Sequence, residues 1–139
     1  MLAALFLVDS LSNAALAAGL AASIFINPYG RAAKLRSVGD GHSLTLVLGS
    51  TFSFLLFTGP VERFLDNTIK IRVVVFAVLV GISILVMAIS DTEHPPAAGT
   101  AIRIASRKWE PAIVGGIIGA VLVLAAFKIL FQRCLKDLT

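Results

Sequence analysis

Apolar residues fall into four runs, and short polar stretches between them hold most of the charges. The runs predict helical membrane spans at roughly 3–27, 43–58, 71–90 and 111–131. The clearest is Ile71–Ile89, where Arg72 is the one charge and stands near the start, able to snorkel toward water. Leu44–Phe57 is short against the ~20 residues that a span needs, so extension at both ends is expected. The opening stretch, Met1–Asn27, is apolar apart from Asp9-Ser10-Leu11-Ser12-Asn13. As one helix it would be roughly 40 Å long, against a hydrocarbon core of ~30 Å. A tilt or a break near Asp9 is therefore expected, with Ala14–Ile26 as the firmer helix.

The polar stretches carry the chain breakers. Asn27-Pro28-Tyr29-Gly30 stops the first run, because proline disfavours helical geometry in the residue before it. Arg31, Lys34 and Arg36 follow, and then Gly39-Asp40-Gly41-His42-Ser43, read as a loop. Thr58-Gly59-Pro60 ends the second run, and Val61–Lys70 reads as a short amphipathic connector at the interface. After the third run comes the densest polar segment, Ser90–Arg103, with two acids, one of the two histidines, Pro95-Pro96 and Gly99. Irregular polar backbone at the end of a membrane helix is costly unless it is buried in protein or lines a wet cavity. Trp109-Glu110-Pro111 then opens the last span at an interface, where tryptophan is favoured.

Small residues mark helix-contact faces. Thr45, Gly49 and Ser53 continue one face below His42, which suits close packing or a hydrated path. Ser83 and Ser90 share a face leading to the polar segment. Ala14, Ala18 and Ala22, beside Ala15, Gly19 and Ser23, make another such surface, and Gly115 with Gly119 forms a GxxxG pair.

Composition agrees with this pattern. Of 139 residues, 58% are hydrophobic, above the ~45–50% of soluble chains, and the mean hydropathy is +0.93. The charge of +4 does not point to nucleic acid, because the twelve Lys and Arg are scattered over segments that face headgroups. With four spans, Arg31, Lys34, Arg36, Arg103, Arg107 and Lys108 fall on one side. Arg63, Lys70, Arg72, Lys128, Arg133 and Lys136 fall on the other, so the positive-inside rule gives no orientation. Cys134 is the single cysteine, which excludes an internal disulfide and reads as a free surface thiol. No secretory signal is evident.

The segment Glu93-His94-Pro95-Pro96-Ala97-Ala98-Gly99-Thr100-Ala101-Ile102 resembles the signature of the HPP family of small integral membrane proteins, of the form His-Pro-Pro-Ala-Gly-Ala-Thr-Ala. Here glycine and the second alanine are exchanged, and an acid precedes the histidine. The loop before the second span is similar to the family's Pro-Arg-Asn and Gly-Gly-His elements at Arg36, Gly41 and His42. Leu35, Ser37 and Asp40 depart from it. The resemblance covers nearly the whole chain. It implies a single all-α domain over 1–139: a polytopic helix bundle of about four spans with a discontinuous His-Pro-Pro loop. It also implies a link to nitrite transport.

The local chemistry admits the same direction. If Pro95-Pro96 opens a helix, its N-terminus with Gly99 and Thr100 is a candidate anion site, to which His94, His42 and Arg36 would add donors or charge. Asp91 and Glu93 are candidates for proton coupling. The residues leave other readings open: a metal held by the histidines and nearby acids, or histidines that only tie loops together. No nucleophile–base spacing suggests an enzyme, and no cofactor is expected. The expected partners are the lipid bilayer, a small inorganic anion and further copies of the chain through Gly- and Ala-rich faces. The expected setting is a prokaryotic cell membrane.

Overall fold

A computed structural model describes residues 19, 21–22, 24–66 and 68–131. The tilt or break near Asp9, most of the first small-residue surface, and Cys134 lie outside these residues. The described chain is helical. After a short 3-10 turn at Arg31–Ala33 come α1 (Leu35–Leu56), α2 (Gly59–Asp66), α3 (Ile69–Ile89), α4 (Pro95–Ala105) and α5 (Pro111–Phe131). The protein is a helical membrane bundle. By length and apolarity α3 and α5 can cross a membrane, and α1 with α2, bent by 88°, makes up to one more span.

The helices are apolar outside and small inside, the reverse of a soluble bundle. On α1 the buried stripe is Ser37, Val38, Gly41, His42, Thr45, Gly49, Ser53 and Leu56, whereas Val47 and Phe54 are 67% and 62% exposed. Lipid supplies an apolar solvent, so bulky residues lose nothing by facing outward, and small ones let backbones meet. The stripe packs against Ala97, Ala98, Ala101 and Ala105 of α4. At the closest point, a Cβ added to Gly49 would stand 2.9 Å from the Ala101 carbonyl oxygen. Thr45 donates its hydroxyl to the Gly41 carbonyl at 2.9 Å. Ser53 donates to the Arg107 carbonyl at 2.7 Å. This face is a buried, close helix contact.

Two expectations are corrected. Gly39–Ser43 is not a loop: α1 starts at Leu35 and runs through it. An Arg36–Asp40 pair one turn apart, at 3.3 Å, supports the helix there. Gly41 serves contact, since a Cβ on it would lie 3.0 Å from that of His94. The second correction concerns the two ends of the bundle. Helix α4 runs parallel to α1, from the His94 level to Arg107 beside Ser53, and Trp109 donates to Ser50 at 3.1 Å. Arg107 and Lys108 therefore lie at the tryptophan end, where Lys108 meets Glu62 at 3.6 Å. Helix α5 then returns, and Lys128 bonds the turn at the histidine end. The membership of the two sides changes, because α4, about 16 Å long, is only about half as long as a hydrocarbon core is thick. Arg103 is buried on α4 instead of facing headgroups.

Helix α3 ends in a Schellman motif. Asp91 adopts φ 53°, the Thr92 N–H donates to the Met87 carbonyl at 2.9 Å, and the Asp91 N–H donates to that of Ala88. The reversed backbone turns the chain sharply, so that His94 caps α4 with Pro95 and Pro96 in its first turn. The prolines open the helix as the sequence suggested.

Candidate functional site

At the histidine end, α1 and α4 bring together residues far apart in sequence. His42 is 5% exposed and His94 is fully buried. Their ring centroids are 5.1 Å apart, with the planes inclined at 56°. Each ring is oriented through Nδ1. His94 Nδ1 lies 2.7 Å from the Ala32 carbonyl oxygen. A carbonyl only accepts, so this nitrogen carries a proton, and in the neutral ring Nε2 is then a bare lone pair. His42 Nδ1 is 3.0 Å from the Thr100 hydroxyl. Both Nε2 atoms are buried without a hydrogen-bond partner among the described residues. An unmade bond of this kind costs about 1–3 kcal/mol, so two on facing rings call for an explanation in ligand, ion or water.

Burial is also the main influence on His94 acidity. It pushes the imidazole below its ordinary value, and the Ala32 bond offsets this only in part. At neutral pH the ring is uncharged.

The other candidate residues divide between this pair and the surface. Thr100 joins the pair through His42. Gly99 is half-buried in mid-helix. The start of α4 offers few free donors: the prolines have no N–H, and that of Ala97 donates to the His94 carbonyl at 2.9 Å. Arg36 stands on the exposed surface, paired with Asp40. Asp91 and Glu93 are exposed as well, and Asp91 lies 3.8 Å from Arg31. Arg31, Lys34, Arg36, Ser37, Asp91 and Glu93 line a depression of about 150 Å³. Since Glu93 precedes His94, and Arg31 precedes the alanine that holds His94, this depression adjoins the buried pair. Among the described residues, no group of three His, Cys, Asp or Glu side chains could hold a metal ion.

Sequence reasoning missed Lys128. It is 8% exposed, and its Nζ donates to the carbonyls of Pro28, at 2.9 Å, and Ala33. The one signal was a lysine three residues inside the end of an apolar helix.

Residues 1–137 match the family described as "HPP, transmembrane region". No curated protein and no solved structure matches the chain.

Proposed function

Because this chain belongs to the HPP transmembrane family and is an integral membrane protein, we propose that it moves a small inorganic anion, with nitrite the first candidate. The observation that carries this reading is the buried His42–His94 pair with both Nε2 atoms unpartnered. A neutral imidazole that takes a proton on Nε2 becomes a donor there, and an anion oxygen is an acceptor that fits it.

Proton and anion then travel together. An uncoupled monovalent anion entering against an inside-negative potential costs about 2.3 kcal/mol per 100 mV. One proton with one anion carries no net charge and avoids that cost. The histidines hold this role more naturally than Asp91 or Glu93, which stay in water on the rim. The rim depression, with Arg31, Lys34 and Arg36, serves as the vestibule where the anion is collected. Below His42 the α1–α4 seam is closed, so passage requires α4 to shift along α1. Its run of small contact residues suits such sliding.

A second copy completes the assembly in this reading. A Cβ on Gly115 or Gly119 would meet nothing within 4 Å, so that face of α5 is open among the described residues. The metal reading is weaker, because a divalent ion would find two imidazoles and too few further donors.

The test is flux into proteoliposomes holding the wild-type chain, with nitrite, nitrate, formate and chloride offered in turn. Selective nitrite entry supports the reading, and a chain that moves none of the four overturns it.

A further inference from the structure

Lys128 is the buried cationic side chain of α5, and the transport reading gives it no task. A lysine inside an apolar helix is costly unless its N–H groups are bonded. Here they are met by backbone oxygens of Pro28 and Ala33, from the turn that separates the first run from α1. The same turn holds the other histidine-end contact: the carbonyl of Ala32, one residue before Ala33, accepts from His94 Nδ1 at 2.7 Å. Neighbouring carbonyls of one 3-10 turn are thus held by two elements, one by α5 and one by the cap of α4.

We propose that Lys128 is a positioning residue for His94: by fixing the Pro28–Ala33 turn it aims the Ala32 carbonyl, and so sets which His94 nitrogen carries the proton. The argument is geometric. The turn is short, so displacing Ala33 rotates the peptide before it. Without the Ala32 acceptor, nothing on the Nδ1 side favours a proton there, and the tautomer with hydrogen on Nε2 gains population. A ring in that state cannot accept a proton on Nε2, the step that the transport reading requires. The inference rests on that reading for its functional consequence but not for its structural one. It also links α5, whose face carries Gly115 and Gly119, to the state of the buried pair.

The experiment reads the ring nitrogens of His94 by ¹⁵N NMR in lipid bilayers, in wild type, Lys128→Met and Lys128→Arg. In the wild type, Nδ1 is the protonated nitrogen of the neutral ring. Lys128→Met is expected to yield a mixture of tautomers, and Lys128→Arg, which keeps donors for the carbonyls, to restore the wild-type pattern. If Lys128→Met does not fold, Lys128→Leu, which likewise has no donor, is read in its place. Unchanged His94 nitrogens in a folded Met or Leu variant overturn the proposal. Failure of both variants to fold assigns Lys128 to folding alone and also overturns it. The tautomer is observed with no anion present, so it can fail while transport stands, and transport can fail while it stands.

Discussion

The imidazoles of His42 and His94 face one another with centroids 5.1 Å apart, one on a helix and the other at the cap of the next helix but two. Their meeting depends on glycine at position 41, where α1 touches the His94 side chain, and on the reversal at Asp91.

Closeness at Gly41 and Gly49 sets the first expectation. Gly49→Ala places a Cβ 2.9 Å from a backbone oxygen and 3.0 Å from the Ala101 Cα, atoms that cannot yield without moving α4. Overpacking of this kind costs about 1–3 kcal/mol. Thermal unfolding in detergent should show a loss of that order. Gly41→Ala should be nearly as costly, with the added effect of separating the two rings. Wild-type stability in both variants would mean that the seam is looser than drawn.

Asp91 offers the opposite sign. An L side chain at φ 53° is strained, and glycine is the residue that this position accepts most readily. Its ion pair with Arg31 is exposed and contributes little. Asp91→Gly should therefore stabilise the fold by about 1 kcal/mol. The variant also separates two proton routes. Proton movement with the anion should persist if the histidines carry it, and should vanish if Asp91 does.

Stability should fall on the acid side. His94 is held neutral by burial, below the ~6.5 of an unfolded histidine, so the unfolded chain binds the proton more readily. The stabilisation is complete above that unfolded value and declines as the pH drops toward the folded value. Unfolding midpoints compared at pH 8 and pH 5 should differ, and His94→Gln should shrink the difference. A profile that the replacement leaves unchanged would place the acid sensitivity elsewhere.

The open face of α5 gives a prediction about assembly. A Cβ at 115 or 119 meets no atom of the described residues, so leucine there should leave folding unaffected. Cross-linking in bilayers should nevertheless show loss of the oligomer, if that face joins two copies. An oligomer that survives both replacements is held by another surface.

Much of this was legible before any coordinates. Thr45, Gly49 and Ser53 were recognisable as a contact face from their spacing, and Pro95-Pro96 as a helix opening. What misled was glycine: at 39 and 41 it suggested a turn, whereas Gly41 is small because α4 comes so near. A residue type does not distinguish conformational freedom from close approach. The direction of α4 was hidden for a different reason. Eleven residues are too few for a span, and the bonds of Ser53 and Ser50 fix where the helix ends. The acceptor for His94 was invisible in principle, since a backbone carbonyl has no residue signature. Lys128 looked like an end-of-helix cation until its backbone partners appeared.

The central claim is that the histidine pair carries an anion together with a proton. It is tested most directly by nitrite uptake into proteoliposomes at clamped membrane potential, with internal pH recorded, for wild type, His42→Ala and His94→Ala. Loss of a hydrogen bond to a charged group corresponds to about tenfold or more. The account predicts one proton per nitrite in the wild type, and a reduction of at least about that size in each variant while both remain folded. Uptake by the two variants at the wild-type rate, or nitrite entry without a proton, would contradict it.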